Sequence, residues 1–147
     1  MAAYLSTELG QTANQTSAPV GYKPAATVYQ GRLKRMRGTF TLATQTTSDT
    51  LVIGNLPAGA TFAFGLITQT VTFGATATVA IGISGTTGKY RAAAVSTAVD
   101  TPTLFGITSA VSGSPLSAEE QVYVTIAAAS LPVSGTLVID IFYSLPN

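Results

Sequence analysis

The sequence contains no cysteine, no histidine and no tryptophan. Without cysteine there can be no disulfide framework, no thiolate metal site and no thiol nucleophile. Without histidine, the commonest general base and the commonest transition-metal ligand are both missing. Charge is scarce as well: seven Lys and Arg stand against six Asp and Glu in 147 residues, a net charge of +1. Long apolar runs are also absent. A membrane-spanning helix needs about 20 consecutive apolar residues, whereas the longest stretch here is residues 1–5 and interior runs such as residues 92–95 stop at four. No basic segment leads into an apolar one, so neither a secretory leader nor a membrane partner is expected.

What the chain does contain is small, hydroxylated and β-branched. Threonine and serine supply 24 and 12 residues, alanine 22 and glycine 14. A hydrophobic fraction of 46% with almost no net charge argues against intrinsic disorder. The length suits one domain with a core of its own. A surface so poor in charge either meets other protein or associates with itself. Composition therefore points to a structural or binding protein.

Two parts of the chain differ in kind. Residues 1–31 read as an extended N-terminal arm: Gln, Thr, Asn, Ser, Ala, Gly and Pro dominate, no periodicity survives, and Pro19, Gly21 and Pro24 would break a helix. Tyr4, Leu5 and Leu9 are its distal apolar anchors. Such an arm orders on a partner or remains a tail. Charge then gathers at its base. Residues 1–37 carry five cations against Glu8, a surplus of +4, and the remainder carries −3. Arg32, Lys34, Arg35 and Arg37 lie within six residues. Three uses fit them: a contact with an acidic protein surface, protection of a strand edge, or phosphate binding. No aromatic stacking platform accompanies the run, so nucleic acid is not the expected partner.

From Gly38 onward the pattern is repeated strand and turn. Short segments with period-2 alternation begin near residues 39, 50, 61, 76, 103, 121 and 136. Between them stand turns such as Asn55-Leu56-Pro57-Ala58-Gly59, Ser84-Gly85-Thr86-Thr87-Gly88 and Leu131-Pro132-Val133-Ser134-Gly135. Residues 89–95, with three consecutive alanines, fit either a helical turn or a strand. Seven or eight strands and no long helix predict an all-β body over residues 32–147, a jelly-roll-like β-sandwich. Its expected core includes Phe40, Leu42, Val52, Phe62, Phe64, Val79, Ile81, Val122, Val124, Ile126, Val138 and Phe142. Asp140, between Ile139 and Ile141, is expected to point outward.

Catalytic arrangements were tested against the same residues. A nucleophile–base triad lacks its histidine. A Ser–Lys variant would have to use Lys23 or Lys89, and neither lies in a recognisable motif. Paired carboxylates of a glycosidase stand about 5–9 Å apart across a cleft, but Glu119 and Glu120 are adjacent: on a strand they would point to opposite faces, and just after Ser117 they are expected to begin a short turn. Gly88-Lys89 has Tyr90 where a phosphate-binding loop places Ser or Thr. Asn14-Gln15-Thr16 fits a glycosylation acceptor by chance in a threonine-rich segment. No enzyme activity, cofactor or metal is expected.

Several phrases carry a family likeness. Tyr29-Gln30-Gly31-Arg32-Leu33-Lys34-Arg35-Met36-Arg37 is followed by residues 39–47, Leu56-Pro57-Ala58-Gly59-Ala60 and Ala77-Thr78-Val79-Ala80-Ile81-Gly82. With Gly88-Lys89-Tyr90-Arg91-Ala92-Ala93-Ala94 and Tyr143-Ser144-Leu145-Pro146, the chain resembles the capsid decoration, or cement, proteins of tailed bacteriophages. The resemblance covers most of residues 29–147. It implies a homotrimer of jelly rolls on the outer surface of the virion, bound to the major capsid protein and stabilising the shell. The arm anchors Tyr4, Leu5 and Leu9 and the basic residues Arg32, Lys34, Arg35 and Arg37 are the expected partner-binding residues. The alternative is a tail or fibre component, or a carbohydrate-binding sandwich that recognises a host surface.

Overall fold

The computed structural model describes residues 32–111 and 113–145. Eight strands follow in order: β1 (Leu33–Thr41), β2 (Thr50–Leu56), β3 (Thr61–Gln69), β4 (Thr78–Ile83), β5 (Thr86–Val95), β6 (Thr103–Phe105), β7 (Glu120–Ala127) and β8 (Thr136–Ser144). They form two four-stranded sheets, β1-β8-β3-β6 (sheet A) and β2-β7-β4-β5 (sheet B). All strand pairs are antiparallel. Only β4 and β5 succeed one another within one sheet; each of the other connections passes from sheet to sheet. That winding is the jelly-roll form of the sandwich.

The two sheets bury one face each. On β7, Val122, Val124 and Ile126 are buried and alternate with half-exposed residues, the pattern of an antiparallel strand with one face on a core. Leu137, Ile139 and Ile141 of the central strand β8 meet them across the sandwich, with Ile67, Val79 and Ile81 filling the same layer. Each such side chain contributes about 1.5–3 kcal/mol on burial. The turns fall where proline and glycine stand. Gly59 and Gly85 take positive φ values of 80° and 78°, a region that costs other residues strain.

Four of the expected core residues do not point inward, and β-bulges and neighbour parity explain them. On β3, Phe62 pairs with Tyr143 but Phe64 pairs with Phe142, so Ala63 is an extra residue. The bulge reverses the alternation: Phe62 is buried, whereas Phe64 lies on the outer face of sheet A. Val138 and Phe142 share that outer face, because they have the parity of Asp140 on β8. Val52 of β2 is 49% exposed, and its neighbours Leu51 and Ile53 are turned to the core instead. A second bulge follows there, and Gly54 leaves room for the Met36 thioether, which a Cβ would approach to 2.7 Å.

The alanine-rich segment is strand, not helix. β5 carries a bulge opposite Ala80, where the register steps from Val79↔Ala94 to Ile81↔Arg91. The Arg91 guanidinium donates to the carbonyls of Val79, Ala94 and Val95 and so satisfies acceptors around the bulge. Burial lowers the pKa of Arg91 from its ordinary value.

Candidate partner-binding surface

The basic run enters the fold as an edge strand. Among the described strands β1 pairs only with β8, and successive side chains alternate between the two faces of sheet A. Arg35 and Arg37 therefore share the outer face, while Lys34, in register with Tyr143, has the opposite parity and Arg32 precedes the strand. The four cations are not one patch. The arm anchors Tyr4, Leu5 and Leu9 lie outside the described residues.

Arg37 stands directly across from Asp140 and grips it with both branches of its guanidinium. Nε donates to Oδ1 at 2.7 Å and Nη2 to Oδ2 at 2.6 Å. Arg35 Nε is 3.9 Å from the same Oδ1. The Asp140 side chain is only 9% exposed, and a carboxylate so covered needs such partners to stay ionised. Its pKa is lowered, first by the Arg37 hydrogen bond and further by the charges of Arg37 and Arg35, against the opposing effect of burial. The Arg37 pKa is raised by the same bond. Asp140 does point outward as its parity requires. It is nonetheless a buried, paired charge, and its partner is 103 residues away in sequence.

Beside the clasp this face carries Phe64, Phe142, Leu66, Leu104 and Val138, the last flanked by Thr39 and Thr68; the sequence expectation puts Phe64, Val138 and Phe142 in the core instead. The rings of Phe64 and Phe142 stack with centroids 4.6 Å apart at 21°. Rows of neighbours cross the sheet: Arg35, Phe142 and Phe64 in one, and Arg37, Asp140, Leu66 and Leu104 in the next. Cations thus occupy the β1 side and apolar groups the β6 side. Leu104 is 67% exposed. Strand alternation alone could have revealed the face, because Asp140, Phe142 and Val138 have one parity on β8.

A second concavity lies at the opposite kind of place, between the starts of β5 and β7 and residues 109–117. Its volume is about 270 Å³, and Lys89, Tyr90, Glu120, Ser109, Ser114 and Ser117 are among its lining residues. Glu120 accepts from the Lys89 ammonium through Oε1 and from the Tyr90 hydroxyl through Oε2, the latter at 2.7 Å. Burial above all, then the Glu120 hydrogen bond and charge, push the Tyr90 phenol far above its ordinary value. The phenol stays protonated and the ion pair balances itself, so the trio ties β5 to β7. Glu119 turns away, accepting from Asn55 Nδ2 at 2.7 Å, and Glu120 opens strand β7 where a short turn was expected. Among the described residues no group of three or more acidic side chains gathers to hold a metal ion.

No protein-family profile and no curated protein sequence matches the chain. Solved structures do. A chain of the capsid of Ralstonia phage GP4 superposes with a TM-score of 0.64 at 21% identity, over 80% of this chain and 86% of that one. A chain of the cyanophage Pam1 capsid asymmetric unit gives 0.61 at 20% identity, over 92% and 97%. One from the acid-stable capsid of Helicobacter pylori bacteriophage KHP30 gives 0.59 at 15% identity, over 78% and 89%. The fold is shared with chains of phage capsids. At these identities it is the fold of the backbone that is common to them.

Proposed function

We propose that the chain is a non-enzymatic structural protein of a phage virion, one that decorates the outer surface of the capsid and stabilises the shell. Its partners in this reading are the major capsid protein and two further copies of itself in a homotrimer. The single observation that carries the proposal is the match of nearly the whole eight-stranded sandwich to capsid chains of three different phages. The composition agrees: a protein with so few charges is suited to packing against other protein. Closed symmetry is the usual way to bury such surfaces. The arm of residues 1–31 and the cations Arg32, Lys34, Arg35 and Arg37 are assigned to partner binding.

The test joins mass to location. Light scattering of the purified full chain should give three times the 15.0 kDa chain mass. The same preparation should co-sediment with heads of the phage that encodes it and appear as external density in images of them. A monomer that stays in the supernatant would overturn the reading. Selective binding on a glycan array, without head binding, would replace it with host-surface recognition.

A further inference from the structure

We propose that the outer face of sheet A is the surface that meets the shell, and that it receives a protein surface carrying a carboxylate beside apolar side chains. This inference rests on the capsid-binding reading and names the face and the chemistry of the contact. The argument begins with an imbalance. Two guanidiniums share one carboxylate: Arg37 uses both oxygens of Asp140, and Arg35 reaches only to 3.9 Å. The Arg35 side chain is 54% exposed, and it keeps most of its five donors for something else. A second carboxylate is the group that the planar fork fits.

The neighbours of Arg35 supply the other half of the contact. Across the strands from it lie the Phe142 and Phe64 rings, and one row along are Leu66 and the protruding Leu104. An aromatic pair with an adjacent arginine is the composition of an interface centre rather than of a solvent face. The arrangement has a polarity, with the cation at the β1 edge and apolar groups at the β6 edge, so it orients what binds.

Charge also decides between occupants. A second copy of this chain has few carboxylates to offer. Asp49 accepts from the Thr46 amide and hydroxyl, Glu119 from Asn55, Glu120 from Lys89 and Tyr90, and Asp140 from Arg37. Of these only Glu120 and Asp140 meet cations; Asp49, Glu119 and Asp100 stand in loops, and a second copy docking by this same face would bring to it only Asp140, which Arg37 already holds. A different protein with an acidic residue near an apolar patch is the better complement, and in a phage head that protein is the shell subunit.

The experiment uses the full chain and heads stripped of it. Arg35→Glu and Leu104→Asp both alter exposed side chains, and circular dichroism with an unfolding midpoint will show that each variant folds. Each should weaken head binding by about tenfold or more, with the salt dependence of binding reduced in Arg35→Glu. Val52→Asp, equally exposed but on the outer face of sheet B, should bind as the parent does. If the parent binds while Arg35→Glu and Leu104→Asp bind as tightly, the face is wrong and the capsid reading stands. Failure of the parent itself to bind removes the reading and this inference together. Should the two variants change the oligomer mass and leave head binding intact, the face joins copies of this chain and the inference falls.

Discussion

Asp140 holds a full negative charge between two isoleucines of a central strand, and its fate with pH follows from its partners. Its pKa is lowered in the fold, chiefly by the Arg37 hydrogen bond. A depressed carboxylate contributes stability that is fully present above its unfolded value, about 3.9, and is lost as pH falls through the folded value. Asp140→Asn should therefore be less stable than the parent at neutral pH, and the difference should shrink once pH drops below about 4. Denaturant midpoints measured at several pH values check this. An offset that stays constant down to the acid limb would rule out the ionised pair as the cause. Asp49 is lowered too, by the Thr46 amide and hydroxyl, but it is present in both proteins and cancels in the comparison. No single sequence could have disclosed the pairing, since Arg37 and Asp140 meet only through the register of β1 with β8.

At the scale of the strand, legibility followed the regularity of the alternation. β7 reads directly, because Val122, Val124 and Ile126 alternate without a bulge and one face is buried. β3 does not, because the extra residue Ala63 turns Phe64 away from the core while the composition stays equally apolar on both sides. β1 starts earlier than its hydrophobic pattern: Leu33 to Arg37 are strand residues, although the charges there leave no alternation of apolar residues to read. β6, expected over residues 103–108, keeps only Thr103–Phe105. Its last residue matters nonetheless. The Phe105 ring lies so close over Gly65 that a Cβ there would come within 2.1 Å of it. Gly65→Ala should cost about 1–3 kcal/mol, the usual range for overpacking. Adding Phe105→Leu should return part of that loss. Urea unfolding reads both, and an unchanged midpoint for Gly65→Ala would mean that β6 is not seated on β3 as described.

For the whole molecule, the sandwich class and a count of seven or eight strands were accessible from turn spacing, whereas the outer face of sheet A is legible only when the parity of Asp140 on β8 is carried through to Val138 and Phe142. An outer face with phenylalanines looks like a core face in one dimension. The proposed division into arm and body leads to a prediction of its own. Ordering a segment costs about 1–2 kcal/mol per residue in backbone entropy, so residues 1–31 need backbone pairing as well as the anchors Tyr4, Leu5 and Leu9 if they grip a partner. Extended, they could span up to roughly 100 Å. Deleting residues 2–28 should leave the body folded, with an unaltered β-type dichroism spectrum, and should weaken attachment to heads. Equal affinity of the truncated and full chains at low and high salt would reduce the segment to a tail.

The pairing of β1 with β8 also sets how the body takes a mechanical load. Leu33 lies opposite Ser144, so tension arriving through the residues ahead of β1 is applied at the end of a two-strand ladder. Pulled there, antiparallel strands peel apart one rung at a time, and do not shear along their whole length at once. The forked Arg37–Asp140 clasp sits at the fifth rung from that end. Under a fluctuating pull two pairs would open before the tear meets the looser Arg35–Asp140 contact, and four before it reaches the fork, which would then act as a rip-stop. Forced unfolding is governed by the rate of opening, so this one clasp guards the seam through which an arm under tension would otherwise unravel its own domain.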